Sequence, residues 1–161
     1  MNGDSGSSDS SGGFVLLGVG NILHGDDGAG PYLADLISEE QNPKAAAYNC
    51  GTAPENFTGL VRKLHPHHLI IADAALMNEK PGTIRQIPAD KIKDTTVGTH
   101  MLALSYVIRY LEDAADTITL IGIQPETLDD CDCLSPDVEA AVKELKNICM
   151  SGRFEDIPLM R

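Results

Sequence analysis

The chain of 161 residues carries 24 acidic and 12 basic side chains, for a formal net charge of −12. This length suits one domain with its own core, and the acidic balance argues against polyanionic partners such as nucleic acid or an anionic membrane surface. The sequence has no signal-peptide pattern and no run of about 18 or more apolar residues. We therefore expect no membrane insertion, a cytoplasmic location and reduced thiols.

The two ends of the chain differ in composition from its middle. Residues 1–13 are almost entirely Gly, Ser, Asp and Asn, which cannot bury enough apolar surface to offset the entropy of ordering. We predict a disordered tail there, a single domain over residues 14–150, and a C-terminal tail over residues 151–161.

Strand-like and helix-like segments alternate from Phe14 onward. Apolar runs predict strands at residues 14–17, 45–50, 68–75 and 117–123, and alternating polarity predicts a short edge strand at 83–87. Helical spacing and capping residues predict four helices. The first begins at Pro31, and the second is opened by residues 52–56. The third runs from His100 to Ala115 with Thr99 as its cap, and the fourth follows Ser135. This alternation predicts a three-layer α/β/α sandwich, with a mostly parallel, twisted five-stranded sheet and helices on both faces.

A glycine-dense turn follows the first predicted strand and carries Asp26 and Asp27. Strand, glycine turn and helix resemble half of a dinucleotide site, but Leu23 stands where the third glycine of that motif belongs. Two carboxylates would also repel a pyrophosphate at the helix start. A nucleotide-binding module is therefore disfavoured, and the turn suits a metal cation better.

Three side chains lie at comparable points of the predicted fold: Asp27 after the first strand, Asp73 at the end of the third, and His100 at a helix start. If those two strands are neighbours, the crevice at their carboxyl ends brings both aspartates together, with His100 above them. Two carboxylates and one imidazole suit a divalent ion such as Ni²⁺ or Zn²⁺. Each residue also has a purely structural interpretation, as a helix-terminal or strand-terminal side chain.

Other polar residues are weaker candidates. Asp26 should point away from Asp27, as a supporting or capping residue. Cys131 and Cys133 form a C-x-C pattern that is either a metal or redox pair or a coincidence of a surface loop. The remaining histidines are weaker ligand candidates than His100, and most of them fit a solvated turn: His24, His65, His67 and His68.

Several segments of the chain, in order and with compact loops, resemble the hydrogenase maturation proteases. These segments are Gly18–Asn21, Gly25–Pro31, Gly51–Asn56, Leu69–Ala74, Pro81–Gly82, Thr99–His100 and Leu120–Pro125. The forms Asp-Asp-Gly-Ala-Gly-Pro and Ala-Pro-Glu-Asn are similar to the branch that serves the hydrogenase 3 of formate hydrogenlyase.

The resemblance implies a nickel-dependent, aspartic-type endopeptidase that removes the C-terminal extension of a [NiFe] hydrogenase large-subunit precursor after nickel insertion. Its metal-contacting residues correspond to Asp27, Asp73 and His100, and the nickel is that of the precursor. An alternative is a non-catalytic nickel-binding accessory protein that docks the same precursor.

Overall fold

The computed structural model describes residues 13–92 and 100–161. It contains a five-stranded sheet in the order β2-β1-β3-β5-β4. The strands are β1 (Phe14–Val19), β2 (Ala45–Gly51), β3 (His68–Ala74), β4 (Ile84–Gln86) and β5 (Thr117–Ile123). Every pairing is parallel except that of β4, which runs antiparallel along β5 at the sheet edge.

The α-helices cover both faces of this sheet. They are α1 (Ala29–Glu39), α2 (Thr58–Leu64), α3 (Ala89–Ile92), α4 (Met101–Leu111) and α5 (Pro136–Met150). Helices α1 and α5 bury one apolar cluster against one face, while α2, α3 and α4 contribute to a second cluster on the other. Because β1 and β3 lie inside the sheet, their side chains are buried on both faces, which explains their unbroken apolar runs.

The predicted three-layer sandwich with a mostly parallel sheet is confirmed. The helix predicted to enter at Pro31 begins earlier, at Ala29, because the short 3-10 helix Gly25–Gly28 leads directly into it. The helix predicted to extend from His100 to Ala115 ends at Leu111. Its predicted cap, Thr99, lies outside the described residues, as do residues 1–12 of the tail predicted over residues 1–13.

The segment predicted as a C-terminal tail, residues 151–161, packs beside β4 through its residues 154–160. Met160 N donates to Gln86 O at 2.8 Å, and Gln86 N donates to Pro158 O at 2.8 Å. Ile157 is buried in the cluster beneath α1 and α5. Within the two described ranges, no helix combines the length and apolar character needed to cross a membrane.

Helix α1 packs against β1 so closely that only glycine fits at the contact. A Cβ atom at Gly30 would collide with the carbonyl oxygens of Val19 and Ala72, and one at Gly18 would collide with the carbonyl oxygen of Gly30. Backbone atoms on neighbouring strands cannot yield as a flexible side chain can. This close approach holds the start of α1, and the turn before it, against the carboxyl ends of β1 and β3.

We expect Gly30→Ala to lower the free energy of unfolding by about 3 kcal/mol, since the added methyl group meets backbone on two strands. Gly59 in α2 is the matched control, because a Cβ atom there has no neighbour within 4 Å. Gly59→Ala should be neutral or stabilising through helix propensity. Urea unfolding of both variants measures the difference, and equal effects would contradict this account of the contact.

Candidate metal centre

The parallel pairing of β1 with β3 brings two acidic side chains to one edge of the sheet. Asp27 lies in the 3-10 helix that follows β1, and Asp73 is the penultimate residue of β3. His100 stands at the N-terminus of α4 and reaches over the same edge. The sheet order on which the predicted crevice depended is therefore the one observed.

The three side chains form one cluster. His100 Nδ1 lies 3.3 Å from Asp73 Oδ2 and 3.9 Å from Asp27 Oδ1. One ligand atom from each residue can be chosen so that all lie within 4.8 Å of one another. Asp73 is completely buried, whereas the His100 side chain keeps 16% of its surface exposed. The cluster is thus reached from solvent on the His100 side.

Burial dominates the ionisation of Asp73. It raises the pKa of this carboxyl from 3.8 to about 6, although the neighbouring His100 acts in the opposite direction. Neither Asp73 oxygen has a hydrogen-bond partner of acceptable geometry among the described residues. Asp73 is therefore a buried acceptor with unused lone pairs, which is costly in a folded protein unless a cation or proton satisfies it.

His100 responds to the same carboxylates. The Asp73 carboxylate, 3.3 Å from His100 Nδ1, raises the pKa of the imidazole against the opposing effect of burial, and the charge of Asp27 adds to the increase. In the absence of a cation, the pair formed by His100 and Asp73 therefore tends to keep a bound proton. A divalent ion would take the place of that proton, since only a neutral imidazole can act as a ligand.

Asp27 is held by its own turn. Asn21 N donates to Asp27 Oδ2 at 2.8 Å, which leaves Oδ1 facing His100. The Asn21 side chain in turn accepts a hydrogen bond from Leu23 N at 2.9 Å. Sequence reasoning did not identify Asn21 as a supporting residue, although its position after a buried strand is typical of a turn-stabilising Asn.

A cavity of about 250 Å³ opens over the cluster. Its walls include Asp27 and His100, with Thr52 from the loop after β2 and Leu128 from the loop after β5. His24 also lines it. Two carboxylates, one imidazole and an open side match the donor set of a divalent cation that retains positions for a substrate group, and the unsatisfied oxygens of Asp73 supply the acceptors that such an ion needs.

Asp26 points away from this cavity and organises a distant part of the chain. Its buried carboxylate accepts hydrogen bonds from Glu126 N at 2.8 Å, Thr127 N at 3.2 Å and Ser135 N at 2.7 Å. The Ser135 hydroxyl also donates to it at 2.8 Å. Ser135 is the predicted first residue before α5, but its side chain makes no capping bond, because it is directed to Asp26 instead.

Asp26→Ala should lower the free energy of unfolding by about 2 to 4 kcal/mol, because four donors lose a buried charged acceptor. Asp129→Ala is the control, since Asp129 is exposed and its carboxylate makes no contact within the described part of the chain. Urea unfolding at pH 7 tests the pair. Equal stability of the two variants would show that Asp26 does not hold the loop.

Three of the four weaker histidine candidates lie away from the cluster. His67 and His68 lie at the amino end of β3, opposite the cluster, where they contact Asp116 and Thr119 at 2.8 Å. His65 ends α2. His24 alone among these four lies beside the cluster, and its Nδ1 is 3.7 Å from Asp130.

The expectation of reduced thiols is wrong for one pair of cysteines. Cys131 and Cys133 form a disulfide in the loop after β5, because a C-x-C spacing can close without help from any other segment. Neither belongs to a cluster of possible metal ligands in the described ranges. Cys50 and Cys149 are free and buried, and burial raises the pKa of both thiols to about 12.

Comparison with known proteins adds independent information. The family model for hydrogenase maturation protease matches residues 32–151. Hydrogenase 3 maturation protease from Escherichia coli is 40% identical over 113 residues, which cover 70% of this chain and 72% of that protein.

Solved structures agree with this match. The solution structure of the endopeptidase HycI from Escherichia coli gives a TM-score of 0.82 at 30% identity, covering 92% of this chain and 97% of that one. The crystal structure of a [NiFe] hydrogenase maturation protease HycI from Thermococcus kodakarensis gives a TM-score of 0.71 at 26% identity, covering 86% of this chain and 90% of that one.

Proposed function

The chain belongs to the hydrogenase maturation protease family, and from that premise we propose that it removes the C-terminal extension of a [NiFe] hydrogenase large-subunit precursor after nickel insertion. Its activity is that of a hydrogenase maturation endopeptidase. The observation that carries the finer proposal is the cluster of Asp27, Asp73 and His100, whose ligand atoms lie within 4.8 Å of one another.

The nickel belongs to the substrate. Asp27 Oδ1 and His100 reach the cavity, so they would meet an ion presented by the precursor, while buried Asp73 supplies the oxygens that lack hydrogen bonds. A divalent ion supplies Lewis-acid polarisation of a nearby carbonyl or water. The chain's own residues orient that ion, and Asn21 keeps the Asp27 carboxylate from rotating away.

Proton transfer is the second task of the cluster. Peptide hydrolysis needs a group that takes a proton from water and one that returns a proton to the leaving amine. Asp73 has a pKa raised to about 6 by burial, and neither of its oxygens has a hydrogen-bond partner among the described residues. With one Asp73 oxygen on the ion and His100 neutral as a ligand, we assign the second Asp73 oxygen as the candidate group for that exchange, which would make the enzyme aspartic in type.

The proposal is tested by mixing the purified chain with nickel-loaded large-subunit precursor and following the mass of the precursor. Loss of a C-terminal peptide at a single bond is the expected result. A stable complex with an uncut precursor would instead favour a non-catalytic nickel-binding accessory protein. If one precursor neither binds nor is cut, the assay is repeated with precursors of other hydrogenases. Cleavage of one of them would identify the partner, and cleavage of none would show that the proposal is wrong.

A further inference from the structure

Two large aliphatic side chains are exposed beside the metal centre. Ile22 exposes 55% and Leu23 exposes 61% of its surface. Both lie in the turn between β1 and the 3-10 helix that carries Asp27. Adjacent bulky apolar residues in water are unfavourable for the free protein, and such exposure next to a functional cavity is typical of an interaction surface.

The loop after β5 extends this surface. Cys131 N donates to Leu23 O at 3.0 Å, and Gly25 N donates to Cys131 O at 2.8 Å, so the loop and the turn are joined by backbone bonds. Leu128 of the same loop lines the cavity together with Asp27 and His100. We call residues 22–23 and 126–132 together the docking rim.

Hydrogen bonds to Asp26 and one disulfide hold the docking rim in place. Asp26 ties its two parts together, because it lies in the 3-10 helix that directly follows the turn and accepts hydrogen bonds from Glu126 N and Thr127 N of the loop. The disulfide between Cys131 and Cys133 further restricts the end of the loop. A surface that is already ordered loses less conformational entropy when a partner binds.

The charge of the docking rim has one sign. It carries four exposed carboxylates, and neither residues 1–43 nor residues 110–142 contain a Lys or Arg. His24, next to the rim, already contacts Asp130. A complementary partner therefore presents apolar side chains together with basic ones. The four carboxylates are Glu126, Asp129, Asp130 and Asp132.

We infer that the docking rim binds the hydrogenase precursor through a precursor surface that carries apolar and basic side chains. This inference rests on the proposed function. Leu128 of the rim lines the cavity itself, so a precursor that places a peptide bond near Asp27 lies beside the rim. The rim would then determine how tightly precursor is held, while the cluster determines how fast the bound precursor is cut.

The first test compares two exposed leucines. Leu23→Ser should raise the KM for nickel-loaded precursor about tenfold, with kcat changed by less than about twofold, since apolar contact is lost without change to the cluster. Leu159 is the matched control, because it exposes 62% of its surface against 61% for Leu23 and lies beside β4. Leu159→Ser should leave both constants unchanged.

The second test changes charge. Asp129→Lys should raise KM by about tenfold at low salt and less at high salt, because screening weakens the lost attraction. Glu155→Lys is the control, because Glu155 is exposed in the short 3-10 helix Phe154–Asp156. Thermal unfolding checks that all four variants fold. If Leu23→Ser fails to fold, Asp129→Lys still tests the inference.

The outcomes separate the two proposals. If wild-type protein leaves every loaded precursor uncut, the proposed function fails. If wild-type protein cuts the precursor but the rim variants match their controls in KM, the docking rim is wrong and the proposed function stands. A fall in kcat at unchanged KM would also overturn the inference, because it would place these residues in the chemical step.

Discussion

Asp73→Asn is expected to reduce precursor cleavage by roughly 10³-fold or more, because it removes the charged ligand and proton-transfer group that we propose for the site. The same substitution should stabilise the free protein at pH 7 by an amount on the order of 1–2 kcal/mol. Asp73 is completely buried and its oxygens lack hydrogen bonds within the described ranges. A neutral amide avoids the cost of burying that charge.

The pH dependence of this gain follows from the direction of the pKa shift. Burial raises the pKa of Asp73 from 3.8 to about 6, so between these values the folded state holds a proton that the unfolded state has lost. The stability of the wild-type protein therefore falls as pH rises through this window. The advantage of Asp73→Asn should be small below about pH 4 and complete above about pH 6.

Urea unfolding of both proteins between pH 4 and pH 7.5, combined with cleavage assays at pH 7, measures the two effects. Asp35→Asn is a matched control, since Asp35 is exposed on α1 and makes no ion pair in the described part of the chain. It should change neither stability nor cleavage. Retained cleavage by Asp73→Asn would remove Asp73 from the site, and lower stability at pH 7 would contradict the electrostatic account.

The architecture was predictable because hydrophobic periodicity and parallel topology constrain it strongly. Short apolar runs such as those of β1 and β3 are typical of internal strands of a covered sheet. Once these strands are neighbours, Asp27 and Asp73 must meet at their carboxyl ends. The sequence of the short strand β4 did not predict its direction in the sheet. Its antiparallel pairing with β5 depends on how residues 75–83 return to the edge of the sheet.

The supporting contacts were not predictable in the same way. Asp26 is 109 residues from Ser135 in sequence, and nothing local shows that the two side chains meet. Ser135 had an ordinary local interpretation as a helix cap, which tertiary structure overrides by offering a buried carboxylate. The sequence offered a redox pair at Cys131 and Cys133 only as one alternative, because a single C-x-C pattern does not distinguish a disulfide from a metal pair or a coincidence. The expectation of reduced thiols came from composition, which says nothing about one closely spaced pair.

The second large effect concerns nickel itself. The free protein should bind Ni²⁺ weakly, because two carboxylates and one imidazole offer fewer ligands than the closed four-ligand sites that hold structural metals. A precursor that already holds nickel with open coordination positions supplies the remaining ligands. Nickel-loaded precursor should accordingly be cut at least about 100-fold faster than empty precursor, since the empty form presents no ion for the cluster to contact.

In the proposed site, protons would compete with nickel for the same three side chains. Asp73 must be ionised and His100 neutral to act as ligands, and the pKa of each is raised in the metal-free protein, that of Asp73 to about 6. Binding of loaded precursor should therefore weaken as pH falls through about 6, and more steeply than binding of empty precursor. Empty precursor provides that comparison, because it contacts the rim without offering an ion.

Calorimetry of the free protein with Ni²⁺, together with binding and cleavage assays on loaded and empty precursor at pH 5.5 and pH 7.5, measures these quantities. His100→Ala is the decisive variant, since it removes one ligand at the exposed side of the cluster and leaves the buried Asp73 in place. It should bind loaded and empty precursor equally, because recognition of the ion is lost. Two results would contradict this account: tight nickel binding by the free wild-type protein, or equal cleavage of loaded and empty precursor. Either would mean that the cluster does not recognise the nickel of the substrate.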